Sequence, residues 1–379
     1  MGGFELRSKR RLVVKVGSSL LINSDGRINR SWLQSLADDV AELHADGHEI
    51  LIVSSGSIAI GSNVLELNKR RAGLADLQAA AAAGQVQLVH AYQESLGRHD
   101  VTAAQILLTP SDTEDRRRFL NARATLSRLI DRSVVPIINE NDTVATAEIR
   151  YGDNDRLAAR VSQLVMADAL ILLSDVDGLY DADPTQNDAA RHVPEVHKIT
   201  DDIVASAGTT RSAVGSGGMA TKVLAARIAT LAGCSTVITS GAIERPLAAL
   251  AAGKRHTVFH AQGTPAAARK QWFAGALDVA GELQVDAGAE AALRSGNSLL
   301  PVGVSALHGD FERGDIVRIV NADRAEIGRG LAEYSSADAS TLLGQQSADI
   351  ESLLGYRGRS VIVHRDELVM FDQESTSNE

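Results

Sequence analysis

The feature that most constrains this fold is the alternation of short apolar segments with longer alanine-rich segments between residues 11 and 240. Near-continuous runs of Val, Ile and Leu are typical of strands that are buried on both faces of a parallel sheet. The predicted strands are 12–16, 50–53, 134–139, 169–173 and 235–239. The predicted helices between and after them are 31–45, 74–96, 111–132, 155–166 and 219–232.

Residue types at the helix ends support this pattern. Ser111 followed by Glu114 has the spacing of a capping box, in which side chains satisfy free N–H groups at a helix start. Gly47 and Gly233 follow predicted helices, where glycine commonly ends a helix. We therefore predict an α/β fold with a mainly parallel sheet that helices cover on both faces.

A second kind of sequence begins near residue 260. Thr264 and Pro265 are types preferred at a helix start, and they predict a short helix through Trp272. Beyond Gly281, short apolar segments separated by Gly, Asp and Asn are typical of a small β-barrel. These segments are 283–285, 299–304, 316–320, 326–331 and 360–363. The predicted parts are a first domain (1–262), a linker (263–280), a second domain (281–358) and a C-terminal strand and tail (359–379).

Length and composition agree with two domains. The chain has 379 residues, and hydrophobic residues make up 44% of it, enough for substantial cores. The net charge of −10 argues against nucleic acid or an anionic membrane as the main partner. Cys234 is the only cysteine, which excludes an internal disulfide and a cysteine-built zinc site. Because the chain also lacks a long uncharged apolar run, we expect a cytoplasmic protein without a membrane span.

Polar residues concentrate at the carboxyl ends of the predicted strands, where open α/β sheets bind ligands. Lys15 interrupts the first apolar strand, and a buried lysine is costly unless its ammonium group reaches a site or solvent. Ser55 and Gly56 follow the second strand and open a helix, whose free N–H groups favour an anion. The alternatives are an edge lysine that reaches solvent and an ordinary helix cap.

Two further strand ends carry carboxylate and amide side chains. The third strand runs into the sequence Asn-Glu-Asn-Asp at 139–142, which is more polar than a turn requires. These residues could bind an ammonium group, a metal ion or amide-like atoms. Asn154 and Asp155 open the next helix, where both types are also ordinary caps. The fourth strand ends in Ser174 and Asp175.

A glycine-rich segment at 215–222 precedes the last predicted helix of the first domain. Its glycines and Lys222 suggest a loop that holds phosphate groups. It is neither a Walker A loop nor a dinucleotide fingerprint, because Val223 follows the lysine and no strand precedes the glycines. Two lysines, glycine-rich helix starts and a carboxylate and amide cluster are components of phosphoryl transfer, where catalysis is mainly positioning and charge neutralisation.

The histidines carry no such pattern. His44 and His48 are four residues apart, but Gly47 ends the helix between them, so we do not expect zinc there. His192 and His197 flank a proline in a predicted loop, and we expect them at the surface.

Six segments of the chain together resemble the glutamate 5-kinase family of the amino-acid-kinase superfamily, and residues 281–358 resemble the PUA domain that many bacterial members carry. The segments are VVKVGSSLL (13–21), VSSGSIAIG (53–61), RFLNARATL (118–126), PIINENDTVATAEIRYGDND (136–155), LLSDVDGLYDADP (172–184) and GSGGMATK (215–222). The resemblance implies a three-layer αβα sandwich of amino-acid-kinase type with a mainly parallel sheet, plus a small C-terminal PUA β-barrel.

The resemblance also implies the reaction, which is phosphorylation of the L-glutamate side-chain carboxylate by ATP with Mg²⁺, as the first step of proline synthesis. The residues implied to bind glutamate are Ser55, Gly56, Asp142 and Asn154. The residues implied to bind ATP are Lys15, Ser174, Asp175, Ser216, Gly217, Gly218, Met219, Ala220, Thr221 and Lys222. Lys15 and Lys222 would contact the phosphates, Asp155 would organise these lysines, and no protein metal ligand is predicted. Ser54 and Ser174 stand where the family often has threonine, and both keep the hydroxyl group.

The resemblance further implies inhibition by proline through an overlapping glutamate site, a homodimer or tetramer, and hand-over of the labile product to the next enzyme of the pathway. The nearest alternative is another kinase of the superfamily, acting on N-acetylglutamate, aspartate, carbamate or a nucleotide. The carboxylate of Asp142 disfavours an N-acyl substrate, because such a substrate lacks an ammonium group. A more distant alternative is RNA binding by the PUA-like part. Its 12 acidic residues against 6 arginines and no lysine disfavour phosphate contacts.

Overall fold

The predicted apolar strands pair in one sheet in the computed structural model, which describes residues 4–68, 71–144, 154–207, 218–268 and 279–371. The strands of the N-terminal part are β1 (Arg11–Val16), β2 (Glu49–Ser54), β3 (Ala103–Leu108), β4 (Val135–Glu140), β5 (Ala169–Ser174), β6 (Leu179–Tyr180), β7 (His192–Val193), β8 (Glu195–Val196), β9 (Ser235–Ser240) and β10 (His256–Phe259). Within the described residues, eight strands follow the order β3-β4-β2-β1-β5-β9-β10-β8. All neighbours from β3 to β9 are parallel, and β10 is antiparallel to β9. The prediction of a mainly parallel sheet is confirmed.

Helices cover both faces of this sheet. They are α1 (Ser18–Leu21), α2 (Arg30–Ala45), α3 (Ser57–Val64), α4 (Leu74–Gly97), α5 (Pro110–Glu114), α6 (Arg116–Ile130), α7 (Asn154–Leu164), α8 (Asp201–Ala207), α9 (Met219–Leu231) and α10 (Pro246–Ala251). One apolar core packs the sheet against α2, α4 and α10. A second core, on the other face, packs it against α6, α7 and α9. The predicted three-layer αβα sandwich is therefore confirmed.

The helix ends agree with the sequence at two glycines and differ from it at Asp115. Gly47 and Gly233 follow α2 and α9 with φ values of +87° and +80°, as expected of glycines that end helices. The single helix predicted at 111–132 is instead two helices, α5 and α6. Asp115 between them is extended, with φ −75° and ψ 125°, and its side chain accepts a hydrogen bond from the Arg118 N–H.

The predicted capping box of Ser111 and Glu114 is wrong. The box in the structure joins Thr109, the N-cap of α5, to Asp112. Pro110 occupies the first helical position, which its fixed φ angle favours, so the helix begins earlier than predicted.

Two glycines bring α3 and α4 into direct backbone contact. A Cβ atom added to Gly61 would lie 1.7 Å from the carbonyl oxygen of Ala80, and one added to Gly84 would lie 1.8 Å from that of Ser57. No side chain fits these spaces, so the contact requires glycine on both helices. The contact holds the first residue of α3 against α4 at the carboxyl edge of the sheet.

The chain divides into two units, Met1–Ala268 and Arg269–Glu379. The start of the helix predicted at the linker lies in the first unit, where Thr264 Oγ1 accepts a hydrogen bond from the Ala267 N–H at 3.1 Å. Its predicted end, Trp272, lies outside the described residues. The boundaries at 262, 280 and 358 stay predictions. Among the described residues, no helix combines the length and the apolar character that a membrane span requires.

The second unit contains a five-stranded sheet in its described part, in the order β12-β11-β13-β14-β15. Its strands are β11 (Gly281–Val285), β12 (Val304–Gly309), β13 (Ile316–Val320), β14 (Glu326–Leu331) and β15 (Leu368–Met370). Its helices are α11 (Ala287–Arg294), α12 (Ser336–Leu342) and α13 (Ile350–Leu354).

Two strands predicted for this unit are wrong. Residues 299–303 and segment 360–363 contribute only one isolated bridge, between Leu299 and Val363. Pro301 begins a 3-10 turn after Leu299, and the strand starts only at Val304. Proline lacks the N–H that a strand ladder needs, which explains the delayed start.

We predict that the change Gly84→Ala destabilises the chain by about 1–3 kcal/mol, because the new methyl group overlaps the Ser57 backbone. Thermal unfolding of the full chain measures the effect. The matched control is Gly97→Ala, in the last turn of the same helix, where an added Cβ meets no atom within 4 Å. Equal unfolding temperatures for the two variants would contradict the close contact.

Candidate functional site

The polar strand ends meet at one edge of the large sheet. β1 lies between β2 and β5, while β4 flanks β2 and β9 flanks β5. Because these strands are parallel, their carboxyl ends share one edge, where open α/β sheets place ligands. Lys15, near the end of β1, therefore separates the residues after β2 and β4 from those after β5.

Lys15, Asp155 and Lys222 form a buried ionic cluster at this edge. Lys15 Nζ lies 2.6 Å from Asp155 Oδ1, and Lys222 Nζ lies 3.3 Å from Asp155 Oδ2. The three side chains are 9%, 2% and 7% exposed, respectively. Thr221 also donates its hydroxyl hydrogen to Asp155 Oδ2, over 2.9 Å. Residues from β1, α7 and α9 thus converge on one carboxylate.

The charges in this cluster keep Asp155 ionised. Burial alone would raise the pKa of Asp155, but attraction to Lys15 and Lys222 holds that pKa below its ordinary value. Two ammonium groups and one carboxylate leave the three side chains with one net positive charge. The cluster is therefore suited to an anion such as a phosphate group.

The first turn of α9 adds a second feature that favours anions. Gly218 is the N-cap of this helix, and its carbonyl oxygen lies 2.8 Å from Thr221 Oγ1. N–H groups and the helix dipole at such a start attract negative groups. The predicted ATP-binding residues in this turn are Met219, Ala220, Thr221 and Lys222. The predicted ATP-binding residues Ser216 and Gly217 lie outside the described residues.

Ser174 and Asp175 lie at the end of β5, next to β1. The Ser174 hydroxyl donates to Asp175 Oδ1 at 2.9 Å, and the Ser174 carbonyl accepts from the Gly241 N–H at 2.7 Å. Ser174 is buried, whereas Asp175 is exposed. Both residues, which the sequence predicts to bind ATP, therefore lie at the carboxyl end of the strand next to β1.

On the other side of Lys15, Asn154 connects the ends of β2 and β4. Its amide nitrogen donates to Ser55 Oγ at 2.7 Å and to Asn139 Oδ1 at 3.2 Å. Asn154 and Asp155 are the first two residues of α7, so one helix start supplies both this polar group and the ionic cluster. The structure thereby brings together two residues predicted to bind one substrate, Ser55 and Asn154.

Two residues that sequence reasoning missed, Ser57 and Gln85, hold this polar group in place. The Asn139 amide donates to Ser57 Oγ at 3.2 Å and to Gln85 Oε1 at 2.8 Å. Gln85 did carry a sequence signal, because it falls between Ala81 and Leu88 on the apolar stripe of α4. A glutamine on such a stripe requires a buried partner.

Asp142 is the second buried carboxylate of the site. It is 7% exposed, and Ser57 Oγ donates to its Oδ2 over a long 3.5 Å. Burial raises the pKa of Asp142 to about 6, and the bond from Ser57 opposes this increase only in part. A buried carboxylate of this kind is suited to a cationic group of a ligand.

Gly56 separates the two serines that serve this site. It has a φ of +114°, a conformation that favours glycine, and an added Cβ would lie 2.9 Å from Ile22 Cδ1. The turn at Gly56 lets Ser55 face Asn154 while Ser57 faces Asn139.

The site therefore has two parts that share the start of α7. One part combines two lysines and a helix N-terminus and favours phosphate groups. The other combines hydroxyl, amide and carboxylate groups and favours a small zwitterion with an ammonium group. This arrangement, on a three-layer αβα sandwich, defines a kinase for a small molecule rather than a hydrolase with a nucleophilic side chain.

Comparison with known proteins agrees with that class. The sequence model described as the amino acid kinase family matches residues 10–240, and the model of the PUA domain matches residues 281–354. The carbamate kinase from Giardia lamblia bound to AMP-PNP aligns with 68% of this chain and 100% of its own, with a TM-score of 0.50 at 18% identity. At that identity, the structural likeness shows the fold alone.

Close relatives identify the group more narrowly. The chain is 53% identical to the glutamate 5-kinase of Nitrobacter hamburgensis, over 98% of both chains. It is 52% identical to the glutamate 5-kinase of Paramagnetospirillum magneticum, over 96% of this chain and 99% of the relative. The chain belongs to the glutamate 5-kinase family within the amino acid kinases, which confirms the resemblance found in the sequence.

We predict that Asp142→Asn stabilises the ligand-free protein at about pH 8. The ionised carboxylate is disfavoured in the fold, so stability falls as the pH rises from about 3.8 to about 6. Above about pH 6, this pKa shift lowers the free energy of unfolding by about 3 kcal/mol. The stability gained by replacing Asp142 with asparagine should therefore shrink as the pH falls toward about 4. Denaturant unfolding at several pH values measures it.

The control for this experiment is Asp188→Asn, which removes an exposed carboxylate from the same unit. Because Asp142 is intact in this variant, the fall in stability between about pH 3.8 and about pH 6 should persist in it. A loss of stability in Asp142→Asn at every pH would show that this carboxylate is well compensated in the free protein, contrary to our account.

Proposed function

We propose that this chain transfers the γ-phosphoryl group of ATP to the side-chain carboxylate of L-glutamate, giving L-glutamyl 5-phosphate for proline biosynthesis. The observation that supports this most is the pair of lysines on Asp155, at distances of 2.6 and 3.3 Å. The family of the chain supports the same reaction, because its relatives carry the name glutamate 5-kinase.

The difficulty of the reaction is that both reactants are anions. Two unit charges about 4 Å apart interact by about 4 kcal/mol at an effective dielectric constant of about 20. Lys15 and Lys222, with the first turn of α9, would oppose this repulsion and stabilise the transferring group. The nucleophile needs no general base, because a glutamate carboxyl has a pKa of about 4.3 and is ionised at neutral pH.

The polar half of the site supports glutamate as the acceptor. Asp142 would pair with the α-ammonium group, whose charge would lower the raised pKa of this carboxyl. Ser55 and Asn154 would offer hydrogen bonds to the substrate carboxylates, and Gly56 would let the substrate approach the backbone closely. Positioning of this kind is the main contribution of a protein to phosphoryl transfer.

ATP would occupy the other half, along Ser174, Asp175 and the segment from Ser216 to Lys222. Mg²⁺, when bound to ATP, supplies neutralisation of the phosphate charge. Both oxygens of Asp155 already contact lysine ammonium groups, so that carboxylate suits the role of positioning residue better than that of metal ligand. The phosphates themselves would therefore hold the ion.

Further properties remain predictions. They are feedback inhibition by proline at an overlapping glutamate site, a homodimer or tetramer, a cytoplasmic location, and hand-over of the acyl phosphate, which water hydrolyses, to the next enzyme. RNA affinity depends on phosphate neutralisation, which the acidic residues of the second unit oppose. We therefore expect a structural or regulatory role for this unit.

An ATP- and Mg²⁺-dependent hydroxamate assay tests the proposed reaction, since hydroxylamine traps acyl phosphates. We expect a product with L-glutamate and none with N-acetylglutamate, aspartate, or bicarbonate with ammonia. Proline should suppress the glutamate signal. A hydroxamate from another acid alone would keep the mechanism and reassign the substrate, and no hydroxamate from any acid would refute carboxylate phosphorylation.

A further inference from the structure

Three side chains that can ligate a metal converge at a place that the kinase site does not use. They are Glu195 of β8, His197 just after it, and His260 just after β10. One ligand atom from each lies within 4.8 Å of the other two. The sequence predicts only a surface position for His197, and the structure adds two partners.

Strand pairing fixes the backbone of this group. β8 and β10 are parallel, with Val258 opposite Glu195 and Phe259 opposite Val196. The His260 N–H continues the ladder by donating to the Val196 carbonyl at 3.0 Å. Glu195 and His197 are two residues apart along an extended segment, so their side chains point to the same face of the sheet. Val258 lies opposite Glu195, and His260, two residues further along, points to that same face.

The side chains of this group are already close. Glu195 Oε2 lies 3.2 Å from His260 Nε2 and 3.5 Å from His197 Nε2. The two imidazole rings stack with centroids 4.4 Å apart and planes at 8°. The nitrogen lone pairs of stacked rings lie in two separate parallel planes, so one ring must turn about its Cβ–Cγ bond before both can bind the same ion. The His197 side chain is 76% exposed and has room to turn.

The donor set has a definite chemical preference. Two imidazole nitrogens and one carboxylate oxygen are ligands of Zn²⁺ and similar ions, which take them with water in a fourth position. Mg²⁺ prefers oxygen ligands in octahedral geometry and would gain little here. We propose that Glu195, His197 and His260 form a binding site for a divalent transition-metal ion such as Zn²⁺.

This site is separate from the proposed phosphoryl-transfer site. β10 is antiparallel to β9, with His256 opposite Thr239 and Phe259 opposite Thr236. His260 therefore lies at the amino edge of the parallel strands, whereas Lys15 and its cluster lie toward the carboxyl edge. An ion at His260 would tie the two-residue strand β8 to β10 and stabilise the fold without entering the reaction.

The experiment is a titration of the full chain, freed of any histidine tag, with Zn²⁺ in a calorimeter. We expect a site that His197→Ala and His260→Ala each weaken by about tenfold or more, as expected for loss of a ligand. The matched control is His90→Ala, which removes an exposed histidine from α4 and should leave the affinity unchanged. Excess Mg²⁺ should not compete.

Thermal unfolding provides the second readout. Zn²⁺ should raise the unfolding temperature of the parent chain and of His90→Ala, and raise it much less in His197→Ala. Absence of binding, or equal binding by His197→Ala and His260→Ala, would overturn the proposal. Without Zn²⁺, His197→Ala should retain the kinase activity of the parent chain. Refuting the metal site would therefore leave the proposed reaction standing, and refuting the reaction would leave the metal site standing.

Discussion

The buried carboxylate of Asp155 is the constraint on which the rest of the site depends. Removing a charge from water is costly, and a buried ion is stable only when close partners and hydrogen bonds compensate it. Lys15, Lys222 and Thr221 provide that compensation from two other elements. The same contacts hold two ammonium groups at one place in the fold, where without the carboxylate they would repel each other.

The order of the strands explains how one carboxylate can organise two half-sites. β1 carries Lys15 between β2 and β5, so the polar residues of β2 and β4 and those of β5 lie on opposite sides of it. α7 begins beside this point, with Asn154 in the polar half and Asp155 in the ionic cluster. The first turn of α7 thereby sets the position of the two reactants relative to each other.

Sequence reasoning predicted the parts that depend on strongly periodic or unusual residues. The apolar strand segments were sufficient to predict the parallel sheet. The unusual position of Lys15 within one of them was sufficient to predict one lysine of the cluster. The edge strand β3 was missed because Gln105 interrupts its apolar run, and its middle residues are only partly buried or exposed. Contacts such as Gln85 with Asn139 join residues 54 positions apart, and only the packing of α4 brings them together. The roles of individual site residues stay predictions until they are measured.

The most direct test of the central claim is a double-mutant cycle in kcat on Lys222→Met and Asp155→Asn, with each variant first shown to be folded. Lys222→Met should lower kcat by roughly 100- to 1000-fold, the effect expected when one hydrogen-bond donor to the transition state is lost. The control Lys254→Met, at an exposed position, should leave kcat unchanged. If Asp155 acts by positioning the lysines, the loss from Lys222→Met should be much smaller in the Asp155→Asn background. Additive losses, or an effect of Lys222→Met on glutamate KM alone, would contradict this account.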